Sequence, residues 1–299
     1  MEVGRLINYS PERYLESMMA LRTAYGRDQR DRDPAYYQYF VAKVPDSALC
    51  EPGTDLRVLG IGSGSGDVDS AILKKLLQRH NSVYNRVVEP SGEMIERYKT
   101  RVREDTSLGA VNFDWRQQTA EEYVQTKDDT KFHLIHAVHV LYHVEDLDAT
   151  LRNMWEQLAD GGYMFITIKS DACYAFEGKD AGGKLYYKLW EKFGKGDRLK
   201  TSLRTSVDVE QWLDARGISY DVTSEDVAAL NIDISECFNE KSEAGMKILD
   251  FLTQTPHVSN MPEIRAMTLE HMQCNSSMVN GKRLYKVESE DIVAFKKCE

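Results

Sequence analysis

Cysteine is scarce and scattered: five residues in 299, at Cys50, Cys173, Cys237, Cys274 and Cys298, with no Cys-x-x-Cys pair. That pattern speaks against a disulfide framework and against a structural zinc site, and it reads as reduced thiols in a cytoplasmic protein. No apolar run approaches the ~18 residues that a membrane-spanning helix needs. The first ten residues lack the apolar stretch of a secretory signal. Positive charge is also short. Lys and Arg number 38 against 48 Asp and Glu, a net charge of −10. Phosphate contacts require a basic face, so nucleic acid is not the expected partner. A neutral or cationic small molecule fits the balance better, and nothing calls for more than a monomer. Internal repeats and low-complexity tracts are absent.

What remains is an ordinary globular composition, 42% hydrophobic and 29% charged, on a chain long enough to bury a full core. Ser10-Pro11 predicts a capped helix start, followed by apolar positions Tyr14, Leu15, Met18, Met19 and Leu21 at helical spacing. A second short helix is expected through Tyr37, Phe40 and Val41. Strands and helices then alternate. Strands are predicted at 56–61, 83–88, 110–115, 132–138 and 163–169, with helices at 67–79, 91–103 and 147–159. This rhythm implies a parallel sheet covered on both faces. Beyond residue 169 it loosens: helices at 182–193, 207–216, 244–253 and 262–274, a strand at 218–222, and a final hairpin from 282–287 and 291–296. The resulting division is a helical cap (1–45), an α/β core (46–225), a helical insertion (226–280) and a hairpin completing the core sheet (281–299).

The sharpest motif is Gly60-Ile61-Gly62-Ser63-Gly64-Ser65-Gly66-Asp67, joining the first strand to its helix. Glycines let the chain turn tightly and let a ligand lie against bare backbone. A tight turn without a ligand would use the same residues. Glu89 ends the second strand, where an acid can accept both ribose hydroxyls of a nucleoside. Its alternative role is to cap the helix that starts at Ser91. NAD and S-adenosylmethionine both suit this geometry. The small remainder after the fifth strand favours the second, since NAD would call for another complete half-sheet.

Four of the seven histidines fall within eleven residues, His133, His136, His139 and His143. On a helix three of them would share a face and suggest a metal. On a strand, residues three apart point to opposite faces, so no metal site is expected. His133 and His136 read as strand residues with satisfied ring nitrogens. His139 and His143 lie just past the strand's carboxyl end, where substrate and cofactor meet, and His139 is the first candidate for chemistry. Tyr186, Trp190 and Phe193 form a helical stripe, either core packing or an aromatic wall for a cation.

The chain resembles the histamine N-methyltransferase family of class I S-adenosylmethionine-dependent methyltransferases. The landmarks are Tyr14-Leu15-Glu16-Ser17, the glycine loop through Asp69, Val87-Val88-Glu89-Pro90-Ser91, Leu141-Tyr142, Leu189-Trp190-Glu191-Lys192-Phe193-Gly194, Asp233-Ile234-Ser235-Glu236-Cys237-Phe238 and Asp250-Phe251-Leu252-Thr253. The resemblance implies a Rossmann-like methyltransferase sheet with an N-terminal helical cap and a helical insertion. It also implies S-adenosylmethionine as cofactor, leaving as S-adenosylhomocysteine. By it, Gly60, Gly62, Gly64, Glu89, Met94, Thr119, Ala120 and Val138 hold the cofactor. Tyr14, Asp33, His139, Tyr142, His143, Tyr186, Trp190, Phe251 and Val287 hold the acceptor, with no metal. Five positions depart from the family. Its acidic, amide and asparagine contacts to histamine read Asp33, His139 and Val287 here, and two cofactor contacts read Met94 and Ala120. The expected reaction is methyl transfer to a nitrogen of a small amine or imidazole, with histamine itself disfavoured. A noncatalytic S-adenosylmethionine-binding regulator and an NAD-dependent oxidoreductase are the alternatives.

Overall fold

The computed structural model describes residues 6–25, 40–44, 55–126, 128–170, 181–194, 204–223, 231–287 and 289–297. They group into two units. The sheet unit comprises Pro34–Ile168, Asp208–Ser224 and Glu290–Glu299, and the helical unit Met1–Asp33, Lys169–Val207 and Glu225–Ser289.

The sheet unit is built on seven strands: β1 (Leu56–Ile61), β2 (Val83–Val88), β3 (Val111–Arg116), β4 (Phe132–Val138), β5 (Leu158–Lys169), β6 (Tyr220–Thr223) and, last in the chain, β10 (Ser289–Phe295). Their order is β3-β2-β1-β4-β5-β10-β6. The first five pair in parallel, and β10 runs antiparallel to β6. Alternation explains why both faces are buried. In β1, Leu59 and Ile61 enter one apolar cluster, while Leu56 and Val58 enter another on the opposite face. The same split separates Ile166 and Ile168 from Phe165 in β5, and Ile292 and Ala294 from Val293 in β10. A sheet buried on both faces needs helices on both. Asp67–Leu77 supplies Ile72, Leu73 and Leu76 to one, and Leu147–Gln157 supplies Leu151 and Met154 to the other.

Helix starts follow local chemistry. Ser91 Oγ accepts the Met94 N–H at the head of Gly92–Glu104, and Thr119 with Glu122 closes a reciprocal capping box on Ala120–Gln125. At Pro11–Ala24 the proline occupies the first turn as expected, but Ser10 makes no side-chain cap.

The helical unit packs Pro11–Ala24, Ala181–Phe193, Glu243–Thr253 and Pro262–Cys274 with a three-stranded antiparallel sheet, β7 (Asn231–Asp233), β9 (Lys282–Lys286) and β8 (Ser276–Val279), in the order β7-β9-β8. Its core includes Leu21, Leu185, Leu189, Ile248, Leu252, Met272 and Tyr285. Asp250, fully buried, accepts from Arg13 Nε at 2.7 Å and from the His257 and Val258 amides at 3.0 and 2.8 Å.

Three expectations change. The tail is not one hairpin on the core sheet: β9 pairs with β8 and β7, and only β10 joins the seven strands. Tyr285 of β9 lies in the helical unit's core, whereas Ile292 and Ala294 of β10 lie in the sheet's. Alternation in the sequence marks both segments as strands but carries no information about which sheet buries them. Residues 226–280, read as a helical insertion, likewise hold β7 and β8. The units also cut across the expected boundaries, since 169–207 belongs with the helical unit and Phe40 with the sheet.

Candidate active site

The carboxyl ends of β1, β2 and β4 are level in register. Ile61 stands opposite Val88 and Ala137, and the next residues form the loops. Gly62 N–H donates to Val88 O at 2.8 Å, and Glu89 N–H to Arg116 O at 3.1 Å, so both loops are fixed to the sheet edge.

Within the glycine loop the glycines do different jobs. Gly62, Gly64 and Gly66 all have positive φ, at 67°, 56° and 72°. A Cβ on Gly62 would lie 2.3 Å from Val140 Cγ2, and one on Gly66 would lie 2.1 Å from the Tyr98 ring. These two glycines are demanded by protein neighbours. A Cβ on Gly64 would meet nothing within 4 Å. There the backbone faces open space, and its N–H donates to Glu89 Oε2 at 3.0 Å. The other carboxylate oxygen accepts the Ser91 N–H at 2.9 Å. Glu89 thus takes the expected alternative role of capping the chain into the helix after β2, and it also ties the glycine loop to β2. Burial raises its carboxyl above the usual range, against the two amides that favour the ionised form.

The remaining cofactor candidates occupy the same edge. Met94 is buried in the first turn after Ser91, Thr119 and Ala120 open the helix after β3, and Val138 is the last residue of β4. This donor set fits a nucleoside: a carboxylate for vicinal hydroxyls, bare backbone at Gly64, and apolar side chains for a base. Gln118, which was not anticipated, adds a buried side-chain oxygen with no hydrogen-bond partner just past β3. Its place directly after a strand end was the available signal.

The histidines divide as strand geometry requires. His133 Nδ1 accepts the Arg57 N–H at 3.0 Å, and burial lowers its pKa. His136 is buried with Nε2 3.7 Å from Asp69 Oδ1 and without a hydrogen bond, so the expectation of a satisfied ring nitrogen fails there. His139 has φ 55°, donates its N–H to Thr167 O at 2.8 Å, and meets the Phe40 ring edge-on at 6.4 Å. In the turn that follows, the Tyr142 and His143 rings are 4.6 Å apart. Among the described residues no group of three potential ligands could hold a metal ion, and no helix is long and apolar enough to cross a membrane.

The other acceptor candidates lie in the helical unit. Tyr14 and Phe251 pack with ring centroids 5.5 Å apart. Tyr186 is buried beneath the Lys169 ammonium, 3.9 Å from its ring centre, whereas Trp190 is 39% exposed and 6.1 Å from Tyr187. Val287 packs against that unit's core. Asp33 lies outside the described residues.

Comparison with known proteins agrees with this geometry. A family model described as a methyltransferase domain matches residues 31–220. Histamine N-methyltransferase of Xenopus tropicalis is 37% identical over 220 residues, covering 70% of this chain and 69% of that protein. The Bos taurus histamine N-methyltransferase is 33% identical over 232 residues, covering 74% of each. A phosphoethanolamine N-methyltransferase 2 of Haemonchus contortus, solved with phosphomonomethylethanolamine and S-adenosylhomocysteine, superposes with a TM-score of 0.57 at 13% identity. The match covers 100% of this chain and 61% of that one, and it speaks for the fold alone. Strand order, glycine loop and edge acid thus stand with relatives of more than 30% identity over most of the sequence, and the chain belongs to the histamine N-methyltransferase family.

Proposed function

We propose that this protein transfers a methyl group from S-adenosylmethionine to a nitrogen of a small amine or imidazole compound. Membership of the family makes it an S-adenosylmethionine-dependent methyltransferase; the nitrogen acceptor is our reading. The observation that carries it is the joint between Gly64 and Glu89, open backbone tied to a buried carboxylate at the carboxyl edge of a parallel sheet. The named activity of the relatives supports nitrogen as the acceptor atom.

When bound, S-adenosylmethionine supplies a methyl group already activated on a sulfonium. The protein's task is then to bind, align and keep water out. In this reading Glu89 accepts the ribose hydroxyls, and Gly60, Gly62 and Gly64 offer backbone rather than side chain. Met94, Thr119, Ala120 and Val138 line the nucleoside. His139 orients the acceptor nitrogen and takes its proton after transfer, a task suited to imidazole. No stronger base is required when the acceptor is a neutral amine. Tyr142 and His143 assist at the same edge. Trp190, Tyr14 and Phe251 offer ring faces to a cationic product. Tyr186 is less available for this, because Lys169 already covers its face.

Asp33, His139 and Val287 stand where the resemblance expects other polar contacts to histamine, so histamine should be a poor acceptor. A site built around one set of hydrogen bonds can reject an ill-matched analogue by roughly 10⁴–10⁵. The test is a methylation screen over biogenic amines, imidazoles and amino-acid derivatives, with product detected by mass. Methylation of no amine or imidazole by protein that still binds S-adenosylhomocysteine would refute the transferase reading in favour of a noncatalytic one. We assign the protein to the cytoplasm as a monomer, in keeping with free thiols at Cys237 and Cys274.

A further inference from the structure

We infer that Lys169 fills the cation seat on Tyr186 from within the protein and thereby sets the acceptor class: neutral nitrogens, as in imidazoles and aromatic amines, over alkylammonium compounds. The inference rests on reading Tyr186 as part of the acceptor site. Lys169 is the last residue of β5 and is half-buried, with its Nζ 3.9 Å from the centre of the Tyr186 ring. That is well inside the ~6 Å over which a ring face holds an ammonium. Tyr186 keeps only 6% of its surface exposed. A ligand cation therefore gains this face only if the lysine yields it.

The other rings of the same helix differ. Tyr187 is 48% exposed and Trp190 39%. A cation gains most from a ring where it is shielded from water, because the attraction is then weakly screened. Tyr186 is the buried ring among these three, and it is the one the protein's own ammonium occupies. A second cation brought to the same ring meets a like charge at short range. The helix Ala181–Phe193 adds Lys184, Lys188 and Lys192 against Glu191 alone, so its charge reinforces that of Lys169.

The consequence for acceptors follows from what methyl transfer needs, a nitrogen lone pair. An alkylamine with the basicity of a lysine side chain, pKa about 10.4, is almost wholly protonated at neutral pH, whereas an imidazole, near ~6.5, is mostly neutral. An empty aromatic seat would anchor an ammonium group. A seat already filled withholds that anchor and leaves a neutral ring unaffected. Lys169 is thus a specificity-determining residue, and it acts by denying a binding place rather than by touching the reacting atoms.

The test uses the whole protein saturated with S-adenosylhomocysteine and two probes of one shape, choline and 3,3-dimethylbutan-1-ol, in which carbon replaces the charged nitrogen. Ligand-observed NMR titration gives both affinities. Wild type should bind choline no more tightly than the alcohol. Lys169→Ala should prefer choline by about tenfold, and Lys169→Arg, which keeps a cation for the ring, should show no preference. Adding Tyr186→Leu to Lys169→Ala should remove the gain. A tenfold choline preference in wild type overturns the inference. So does its absence in Lys169→Ala, its appearance in Lys169→Arg, or its survival without Tyr186. Retained S-adenosylhomocysteine binding shows that each variant is folded. Should Lys169→Ala not fold, wild type decides through 4-methylimidazole and histamine, the same ring without and with an ammonium tail. The first should have the higher kcat/KM by at least about tenfold, and the reverse order overturns the inference. Protein that binds S-adenosylhomocysteine yet methylates no amine or imidazole overturns the transferase reading instead, whatever the choline result.

Discussion

Replacing Gly62 and Gly64 in turn by alanine separates what the loop needs to fold from what it needs to bind. Both have left-handed backbones, at φ 67° and 56°. A Cβ in that region costs about 1–2 kcal/mol at either position. Only Gly62→Ala then meets a neighbour, with Val140 Cγ2 at 2.3 Å and Val140 Cβ at 2.7 Å. Contacts that short cannot stand, so Val140 and the turn beyond His139 must shift, adding about 1–3 kcal/mol of overpacking. Gly64→Ala adds nothing of this kind, since its new methyl would enter open space. The expected losses are about 2–5 kcal/mol for Gly62→Ala and about 1–2 kcal/mol for Gly64→Ala. Binding should reverse the severity. In Gly64→Ala the methyl group occupies the approach to bare backbone, and S-adenosylhomocysteine affinity should fall by at least about tenfold, or ~1.4 kcal/mol. Urea midpoints give the first comparison and calorimetric titration the second. Equal stability losses would refute the steric argument, and a Gly64→Ala protein binding as tightly as wild type would refute the assignment of that space to the cofactor.

Glu89→Gln should weaken cofactor binding by about 1.5–3 kcal/mol through loss of charge-assisted hydrogen bonds, and unchanged affinity would remove its ribose role. Because burial raises the Glu89 carboxyl in the fold, its stabilising contribution is present at acid pH and lost as pH rises through the folded value. Relative to Glu89→Gln, ligand-free wild type should therefore lose stability as pH rises above the ordinary carboxylate range, and a trend of opposite sign in urea titrations would contradict the burial argument. Asp250→Ala removes Arg13's buried partner, leaving its contact with Glu16, and takes the acceptor from the His257 and Val258 amides. It should cost about 3–5 kcal/mol of stability, and a midpoint close to wild type would show that these groups find other partners. Trp190→Ala should raise KM for the true acceptor with cofactor affinity nearly intact; no kinetic change would take Trp190 out of the acceptor site. Methyl transfer should persist in EDTA, and activity lost to chelator and restored by zinc would overturn the metal-free reading.

The βα rhythm was legible because each of its signals is local. Leu59 and Ile61 alternate with Leu56 and Val58, glycines sit where the chain must turn, and Ser91 and Thr119 cap the helices they precede. Hydrophobic period and capping chemistry involve residues within one or two turns, so they can be read without knowing what lies across the fold. The glycine loop and Glu89 were found for the same reason, each at the end of a strand that declares itself.

Tertiary structure decided what depends on partners far apart in the chain. Lys282–Lys286 and Ser289–Phe295 look alike as sequence, yet one closes the three-stranded sheet and the other is inserted between β5 and β6. Tyr186 and Trp190 share one helix, but Lys169 covers the first while the second is partly exposed. Gly60 and Gly62 appear interchangeable with Gly64 until His136, Asp69 and Val140 are placed beside them. Sequence by itself determined which segments are strands, helices and turns, because those follow from neighbouring side chains. The placing of each charge, ring and glycine against its counterpart was decided by packing among residues that the chain keeps dozens to more than two hundred positions apart, and no local period records it.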